Sequence, residues 1–112
     1  MRACALVPAY RAAPYVGAVV RQLRALGLPC IVVDDGSADG TAEAARTAGA
    51  EVLVHPRNLG KGAALRTGVA WALDHGFDAV ATLDADGQHD PAELPRLLAA
   101  AEHAEVVIGC RR

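Results

Sequence analysis

The chain has 112 residues, of which 53% are hydrophobic and 4% aromatic, so it can form one domain with an aliphatic core. Its formal net charge of −2, without a basic stripe interleaved with aromatic residues, argues against nucleic-acid binding. No apolar run approaches the roughly 18 residues of a membrane span, and the N-terminus lacks the pattern of a signal peptide. We therefore expect no transmembrane segment and a cytoplasmic location.

The first half of the chain predicts strands that alternate with helices. A short apolar run at residues 3–7 predicts a first strand that ends at Pro8. Apolar residues at helical spacing follow, and Pro14 and Gly27 mark the start and end of that helix. The apolar, partly β-branched segment 30–33 predicts a buried parallel strand. An alanine-rich helix at 41–47 and a third strand at 51–54 come next.

The second half continues the same alternation. Residues 63–75 predict a third helix and residues 79–83 a fourth strand. A capping sequence that begins at Asp90 predicts a further helix, and residues 105–108 predict a fifth strand. Alternating units of this length predict a single α/β domain with a mostly parallel sheet of about five strands and helices on both faces. The three cysteines lie in or beside apolar runs and are expected to be buried free thiols.

Unusual polar residues follow the carboxyl end of each of the first four predicted strands. In open α/β sheets, ligands bind outside these strand ends. The residues that follow the strands are Pro8, Ala9 and Tyr10, then Asp34 and Asp35, then the loop 55–62, then Asp84, Asp86 and Gln88. We therefore predict one composite ligand site along this edge of the sheet.

Asp84 and Asp86 form an Asp-x-Asp pair directly after an apolar run. Carboxylates at the exit of a buried strand suit Mg²⁺ or Mn²⁺, which accept a diphosphate as a further ligand. The alternative is that residues 84–87 form only a turn, because Asp and Gly are common turn residues.

Two other segments have both a binding and a structural interpretation. Asp35 can accept a hydrogen bond from a base or ribose, or it can cap the helix that follows it. The glycine-rich segment 58–62 precedes a helix and contains the only lysine, Lys61, which suits a phosphate. The alternative is a solvated loop lysine. Tyr10 can stack on a base or pack on its loop, and His55 is expected to be structural or solvated.

Four segments together resemble family 2 glycosyltransferases of GT-A fold. They are Val-Pro-Ala-Tyr at 7–10, Ile-Val-Val-Asp-Asp-Gly-Ser-Ala-Asp-Gly-Thr at 31–41, Asn-Leu-Gly-Lys-Gly at 58–62 and Leu-Asp-Ala-Asp-Gly-Gln-His-Asp-Pro at 83–91. They occur in the family's order and span nearly the whole chain. The branch most similar contains the dolichyl-phosphate mannosyltransferases and glucosyltransferases.

The resemblance implies a UDP- or GDP-sugar donor, a Mg²⁺ or Mn²⁺ ion and inverting transfer by direct displacement. The implied nucleotide-sugar contacts are Pro8, Ala9, Tyr10, Val33, Asp34, Asp35, Lys61, Asp84 and Ala85. The implied metal ligands are Asp84, Asp86 and Gln88, with Asp86 as the catalytic residue. The acceptor implied by this branch is a polyprenyl phosphate, with the full-length form at the cytoplasmic face of a membrane.

The chain departs from the family pattern in two places. Arg11 and Ala12 stand where the family usually has Asn-Glu, so a nucleotide contact is missing. Residues 107–112 correspond to the family's midpoint, so we expect residues 1–112 to be the donor-binding half, without the acceptor half. An edge strand at the terminus would also favour a homodimer.

Three alternatives to a glycosyltransferase stay open. A non-catalytic module would bind the nucleotide sugar and metal without transferring the sugar. A phospho-receiver domain is disfavoured because its acidic pair follows strand one, and here the pair follows strand two. A nucleotidyltransferase would need a glycine- and arginine-rich loop after strand one, which residues 10–13 do not supply.

Overall fold

The computed structural model describes residues 2–82 and the backbone of residues 105–108. These residues form one five-stranded sheet in the order β3-β2-β1-β4-β5. The elements are β1 Ala3–Ala9, α1 Ala13–Ala25, β2 Cys30–Asp34, α2 Thr41–Ala48, β3 Glu51–Val54, α3 Lys61–Asp74, β4 Ala79–Thr82 and β5 Glu105–Ile108. The helix predicted to begin at Asp90 lies outside the described residues.

The sheet is mostly parallel, as predicted. Strands β1 to β4 pair in parallel, and β5 pairs antiparallel with β4 at the edge of the sheet. Helices cover both faces, with α1 and α2 on one face and α3 on the other. The α/β class, the approximate strand count and the two covered faces are therefore confirmed.

The central strands separate two aliphatic cores. Val7 and Val32 face α1, whereas Leu6 and Ile31 face α3. Successive side chains of a strand point to opposite faces, so a strand with both faces covered must be apolar throughout. This requirement explains the continuous apolar runs in β1 and β2.

Helix α3 packs very closely on β1 at Gly68. A Cβ atom added at this glycine would overlap the side chain of Leu6, which is fully buried. The absence of a side chain at Gly68 therefore brings the α3 axis close to the sheet. Because α3 begins near the carboxyl ends of β2 and β3, this packing also fixes where its first turn lies.

The prediction that Pro8 ends the first strand is wrong, because β1 continues to Ala9. The backbone groups of Ala5 and Ala9 form hydrogen bonds on the side of β2. Because the backbone groups of successive residues in a strand point to alternate sides, the Pro8 nitrogen points toward β4. The last described pair on that side joins Leu6 to Thr82. Pro8 thus lies past the described β1–β4 ladder, where its missing N–H breaks none of the described pairings.

Cys4 and Cys30 are buried free thiols, as predicted. Burial raises the pKa of both, and that of Cys30 reaches about 12. Both residues lie near the amino ends of their strands, on the side of the sheet opposite the predicted ligand site. Cys110 lies outside the described residues. None of the helices in residues 2–82 is long and apolar enough to cross a membrane.

Candidate functional site

The strand order places a topological switch point between β1 and β4. From β1 the chain moves outward to β2 and β3, and it then returns to the other side of β1 to form β4. Loops diverge at such a point and leave a crevice outside the carboxyl ends of the strands. Strands β1 and β4 end at the two sides of this crevice, at Ala9 and Thr82. The sequence marked the segments that follow these two strands as ligand-binding.

The carboxylate of Asp35 is built into the loops beside this crevice. The residue is 4% exposed. Its Oδ1 accepts hydrogen bonds from His55 Nδ1 and from the Leu59 N–H, both at 2.8 Å. Its Oδ2 accepts one from the Gly60 N–H at 2.9 Å. Asp35 therefore joins the end of β2 to the residue after β3 and to the loop before α3, and these bonds do not cap the helix that follows it.

The charge of Asp35 is stabilised by these contacts. Burial alone would raise the pKa of its carboxyl group, but the hydrogen bonds from His55 and from the amides of Leu59 and Gly60 outweigh burial and lower it. The carboxylate also lies at the start of α3, where the helix dipole favours an anion. Asp35 is therefore an ionised acceptor at neutral pH.

His55 has a larger part in the site than its sequence pattern indicated. It is 9% exposed, and its Nε2 lies 2.8 Å from Thr67 Oγ1 while its Nδ1 contacts Asp35. Strands β2 and β3 pair Asp34 with Val54, so Asp35 and His55 are the next residues along two neighbouring strands. Their matching positions after two neighbouring strands were the indication of this contact in the sequence. Recognising it requires the register between β2 and β3 to be known.

Asp34 and its neighbours join the first two carboxyl-end loops. Asp34 is 2% exposed, and its Oδ1 accepts the Ser37 N–H at 2.9 Å. Ser37 Oγ in turn accepts the Arg11 N–H at 2.6 Å, and Thr41 Oγ1 accepts the Ala12 N–H at 3.0 Å. The β1–α1 loop is therefore held by side chains of the β2–α2 segment.

The three predicted contacts after β1 differ in exposure. Pro8 and Ala9 are buried, and the Ala9 carbonyl accepts the Asp35 N–H at 2.8 Å. Tyr10 is 45% exposed, and the Arg11 guanidinium lies 5.2 Å from the centre of its ring. The structure thus brings Ala9 next to Asp35 and leaves Tyr10 partly exposed.

Val33 and Lys61 are placed very differently. The Val33 side chain is fully buried in the core beneath α3, so a ligand contact there would have to involve its backbone. Lys61 is an exposed residue in the first turn of α3, which begins two residues earlier than predicted. The amides of Leu59 and Gly60 donate to Asp35, so these two amides do not form a phosphate cradle.

The predicted metal site cannot be placed in the same way. Asp84, Ala85, Asp86 and Gln88 all lie outside the described residues. Among residues 2–82, no group of three His, Cys, Asp or Glu side chains is arranged to hold a metal ion. The metal ligands therefore stay a prediction from the sequence.

The fold and its loop-lined switch point define an open α/β domain with helices on both faces. A family model described as "Glycosyl transferase family 2" matches residues 4–112. The chain therefore belongs to glycosyl transferase family 2. It is also 39% identical over 120 aligned positions to an undecaprenyl-phosphate mannosyltransferase of Micrococcus luteus, a match that covers 100% of this chain and 49% of the relative. The chain thus spans about half the length of that relative.

Solved structures show the same fold. Mannosyl-3-phosphoglycerate synthase from Rubrobacter xylanophilus superposes with a TM-score of 0.72 at 29% identity, over 84% of this chain and 33% of that one. Glucosyl-3-phosphoglycerate synthase from Mycobacterium tuberculosis, in complex with Mn²⁺, UDP and glucosyl-3-phosphoglycerate, gives a TM-score of 0.71 at 26% identity. That match covers 89% of this chain and 39% of the synthase. The fold is therefore the GT-A type that the resemblance implied.

Proposed function

We propose that residues 1–112 form the donor-binding part of a glycosyltransferase that transfers a sugar from a nucleoside-diphosphate sugar to an acceptor. The observation that carries this proposal is the buried, ionised Asp35 carboxylate at the carboxyl edge of the sheet. A charged acceptor in that position is costly unless it is well bonded, so such a site suits a ligand that offers N–H or O–H donors. Family membership supports the same function.

The nucleoside would lie against the segments that follow β1 and β2. Asp35 would accept a hydrogen bond from the base or ribose through Oδ2, which receives one bond where Oδ1 receives two. The exposed ring of Tyr10 would stack on the base, and Pro8 and Ala9 would border it. Asp34 would support this contact by holding the turn at Ser37.

The diphosphate and sugar would extend toward the switch point. Lys61, an exposed cation in the first turn of α3, would lie near the diphosphate. Asp84 and Ala85 would contact the ribose or the sugar, and Asp84, Asp86 and Gln88 would bind the divalent cation. A bound Mg²⁺ or Mn²⁺ would neutralise the charge that builds on the departing nucleoside diphosphate. The M. tuberculosis synthase is known with Mn²⁺ or Mg²⁺ and UDP.

A polyprenyl phosphate is the acceptor that we propose, because the M. luteus relative is an undecaprenyl-phosphate mannosyltransferase. A phosphate oxygen is already an anionic nucleophile, so inverting displacement would need no strong base. The cytoplasmic location, at a membrane face in a full-length form, and the homodimer stay predictions. Transfer itself would depend on groups that bind the acceptor, so donor binding is the property to test first.

Calorimetric titration tests the donor site directly. UDP, GDP and their sugars are titrated into the chain with and without Mn²⁺, and Asp86→Asn is compared with the wild type. We expect binding that requires Mn²⁺ and is weakened at least about tenfold in the variant, because the amide removes one anionic ligand. Absence of binding to every nucleotide in a folded sample would reject a donor site in residues 1–112. Metal-independent binding would reject the roles given to Asp84 and Asp86.

A further inference from the structure

The side chains of Asp35, His55 and Thr67 form a hydrogen-bonded relay beneath the carboxyl edge of the sheet. His55 Nδ1 lies 2.8 Å from Asp35 Oδ1, and His55 Nε2 lies 2.8 Å from Thr67 Oγ1. The three residues come from the end of β2, the residue after β3 and the second turn of α3. The relay thus connects the candidate nucleoside contact to the rigid body of the domain.

The protonation of the relay follows from its partners. Asp35 is ionised and accepts hydrogen bonds only, so His55 Nδ1 carries a proton and donates it. In the neutral ring, Nε2 then accepts the Thr67 hydroxyl proton. Both ring nitrogens are satisfied in this arrangement, which fixes the tautomer and the orientation of the imidazole.

The relay acts on one oxygen of the carboxylate more than on the other. Oδ1 is held by His55 and by the Leu59 amide, whereas Oδ2 accepts only the Gly60 amide among the described bonds. A carboxylate has roughly four acceptor positions. Because Oδ1 is held by these protein donors, the orientation of the carboxylate plane is fixed. The remaining capacity to accept hydrogen bonds lies on Oδ2.

We propose that His55 is a positioning residue, which orients the Asp35 carboxylate so that Oδ2 meets the nucleoside of the donor. This inference rests on the proposed function and adds a residue that lies outside the four segments quoted for the family resemblance. His55 does not touch the ligand, and it acts only through Asp35. Thr67 supports it by preventing the imidazole ring from rotating away.

Two amide substitutions separate the two bonds of the imidazole. Asparagine places its amide nitrogen where Nδ1 lies and so retains the bond to Asp35, whereas glutamine reaches the Nε2 position and retains the bond to Thr67. We expect His55→Asn to bind the nucleotide within about threefold of wild type and His55→Gln to bind about tenfold more weakly, as expected when one bond to a charged group is lost. Equal affinities of the two variants, whether unchanged or reduced together, would overturn the proposal.

A second readout does not depend on nucleotide binding. The ionisation of Asp35, followed by carbon NMR of its carboxyl group, should keep a lowered pKa in His55→Asn and shift upward in His55→Gln. If wild type binds no nucleotide, the proposed function fails, whereas the carboxyl titration still decides whether His55 controls Asp35. An identical Asp35 titration in both variants would reject that control.

Thr67 provides a further pair in case a His55 variant does not fold. Valine keeps the shape of threonine but removes the hydroxyl, and serine keeps the hydroxyl. We expect Thr67→Val to weaken nucleotide binding by about threefold or more and Thr67→Ser to leave it nearly unchanged, because only valine leaves Nε2 without its hydrogen-bond partner. Equal binding by the two Thr67 variants would contradict the relay.

Discussion

At the scale of single residues, Asp35 shows how a buried charge is retained in this domain. A carboxylate that is 4% exposed would ordinarily favour its neutral form. Three donors from two other segments reverse that preference, and the pKa of Asp35 falls below its ordinary value. The group is therefore both a structural link between loops and a charged acceptor beside the switch point.

The lowered pKa of Asp35 predicts a specific dependence of stability on pH. In the unfolded chain an aspartate titrates near pH 3.9, so between that value and the lower folded-state pKa the unfolded chain binds more protons. The stabilisation is therefore complete above about pH 4 and is lost as the pH falls through the folded pKa. Urea unfolding measured from neutral to acidic pH should show this loss in wild type and a flatter acid limb in Asp35→Asn.

The same variant should be less stable at neutral pH. In asparagine an NH₂ group, which donates, replaces one carboxylate oxygen, which accepts. A backbone N–H that now donates to Asp35 would then lose its acceptor, which costs about 1 to 3 kcal/mol of unfolding free energy. Asp74→Asn is the control, because Asp74 is exposed, and its effect should stay within about 0.5 kcal/mol. Equal stabilities of the Asp35 and Asp74 variants would contradict the loop-linking role of Asp35.

The sequence predicted the importance of Asp35 but not its partners. Its position after a buried strand followed from local patterns that are visible in the chain. His55, Leu59 and Gly60 lie 20 to 25 residues away, and only the β2–β3 register brings them to Asp35. The sequence therefore left open whether Asp35 caps the helix that follows it or accepts a hydrogen bond from a base or ribose.

At the scale of elements, the loops at the carboxyl edge are packed against each other through their backbones. Gly36 adopts a φ of +81°, and a Cβ added there would overlap the backbone carbonyl carbon of Arg57 and lie 2.5 Å from the Asn58 nitrogen. The β2–α2 turn and the β3–α3 loop are therefore in direct contact. Glycine at this position is required both by the backbone conformation and by the lack of space.

Gly36→Ala and Gly40→Ala form a matched test of that contact. Gly40 has a similar φ of +87°, but a Cβ added there would meet nothing within 4 Å. Gly40→Ala should cost about 1 to 2 kcal/mol from backbone strain alone. Gly36→Ala should cost about 2 to 5 kcal/mol, because overpacking adds to the strain. Chemical unfolding of both variants measures the difference, and similar costs would show that the loops are not packed as described.

Several element boundaries followed from the sequence, and the exceptions have physical causes. The start of α3 was predicted at residue 63, because glycines at 60 and 62 disfavour a helix. The observed start at Lys61 depends on Asp35, whose carboxylate binds the amides just before the helix. Pro8 was expected to end β1, but the strand continues through it. Proline is tolerated there because its nitrogen faces β4, and the described pairing of β1 with β4 ends at Leu6.

At the scale of the whole molecule, the strand order decides where a ligand can bind. The order β3-β2-β1-β4-β5 puts β1 at the centre and opens the sheet edge between β1 and β4. The alternation of strands and helices predicted the fold class and the covered faces. It did not predict that β5 runs antiparallel to β4, because local patterns carry little information about strand direction. The predicted metal ligands follow Thr82 in the chain, and the sequence alone supports them.

Paramagnetic broadening by Mn²⁺ is the measurement that tests the central claim most directly. Amide resonances of the chain are recorded with UDP or GDP, first with Mg²⁺ and then with traces of Mn²⁺. We expect selective broadening near the carboxyl edge, at Tyr10 and Asp35, while Cys4 and Cys30 at the amino edge stay sharp. Broadening that is uniform, centred on the amino edge or independent of the nucleotide would contradict a donor site at the switch point.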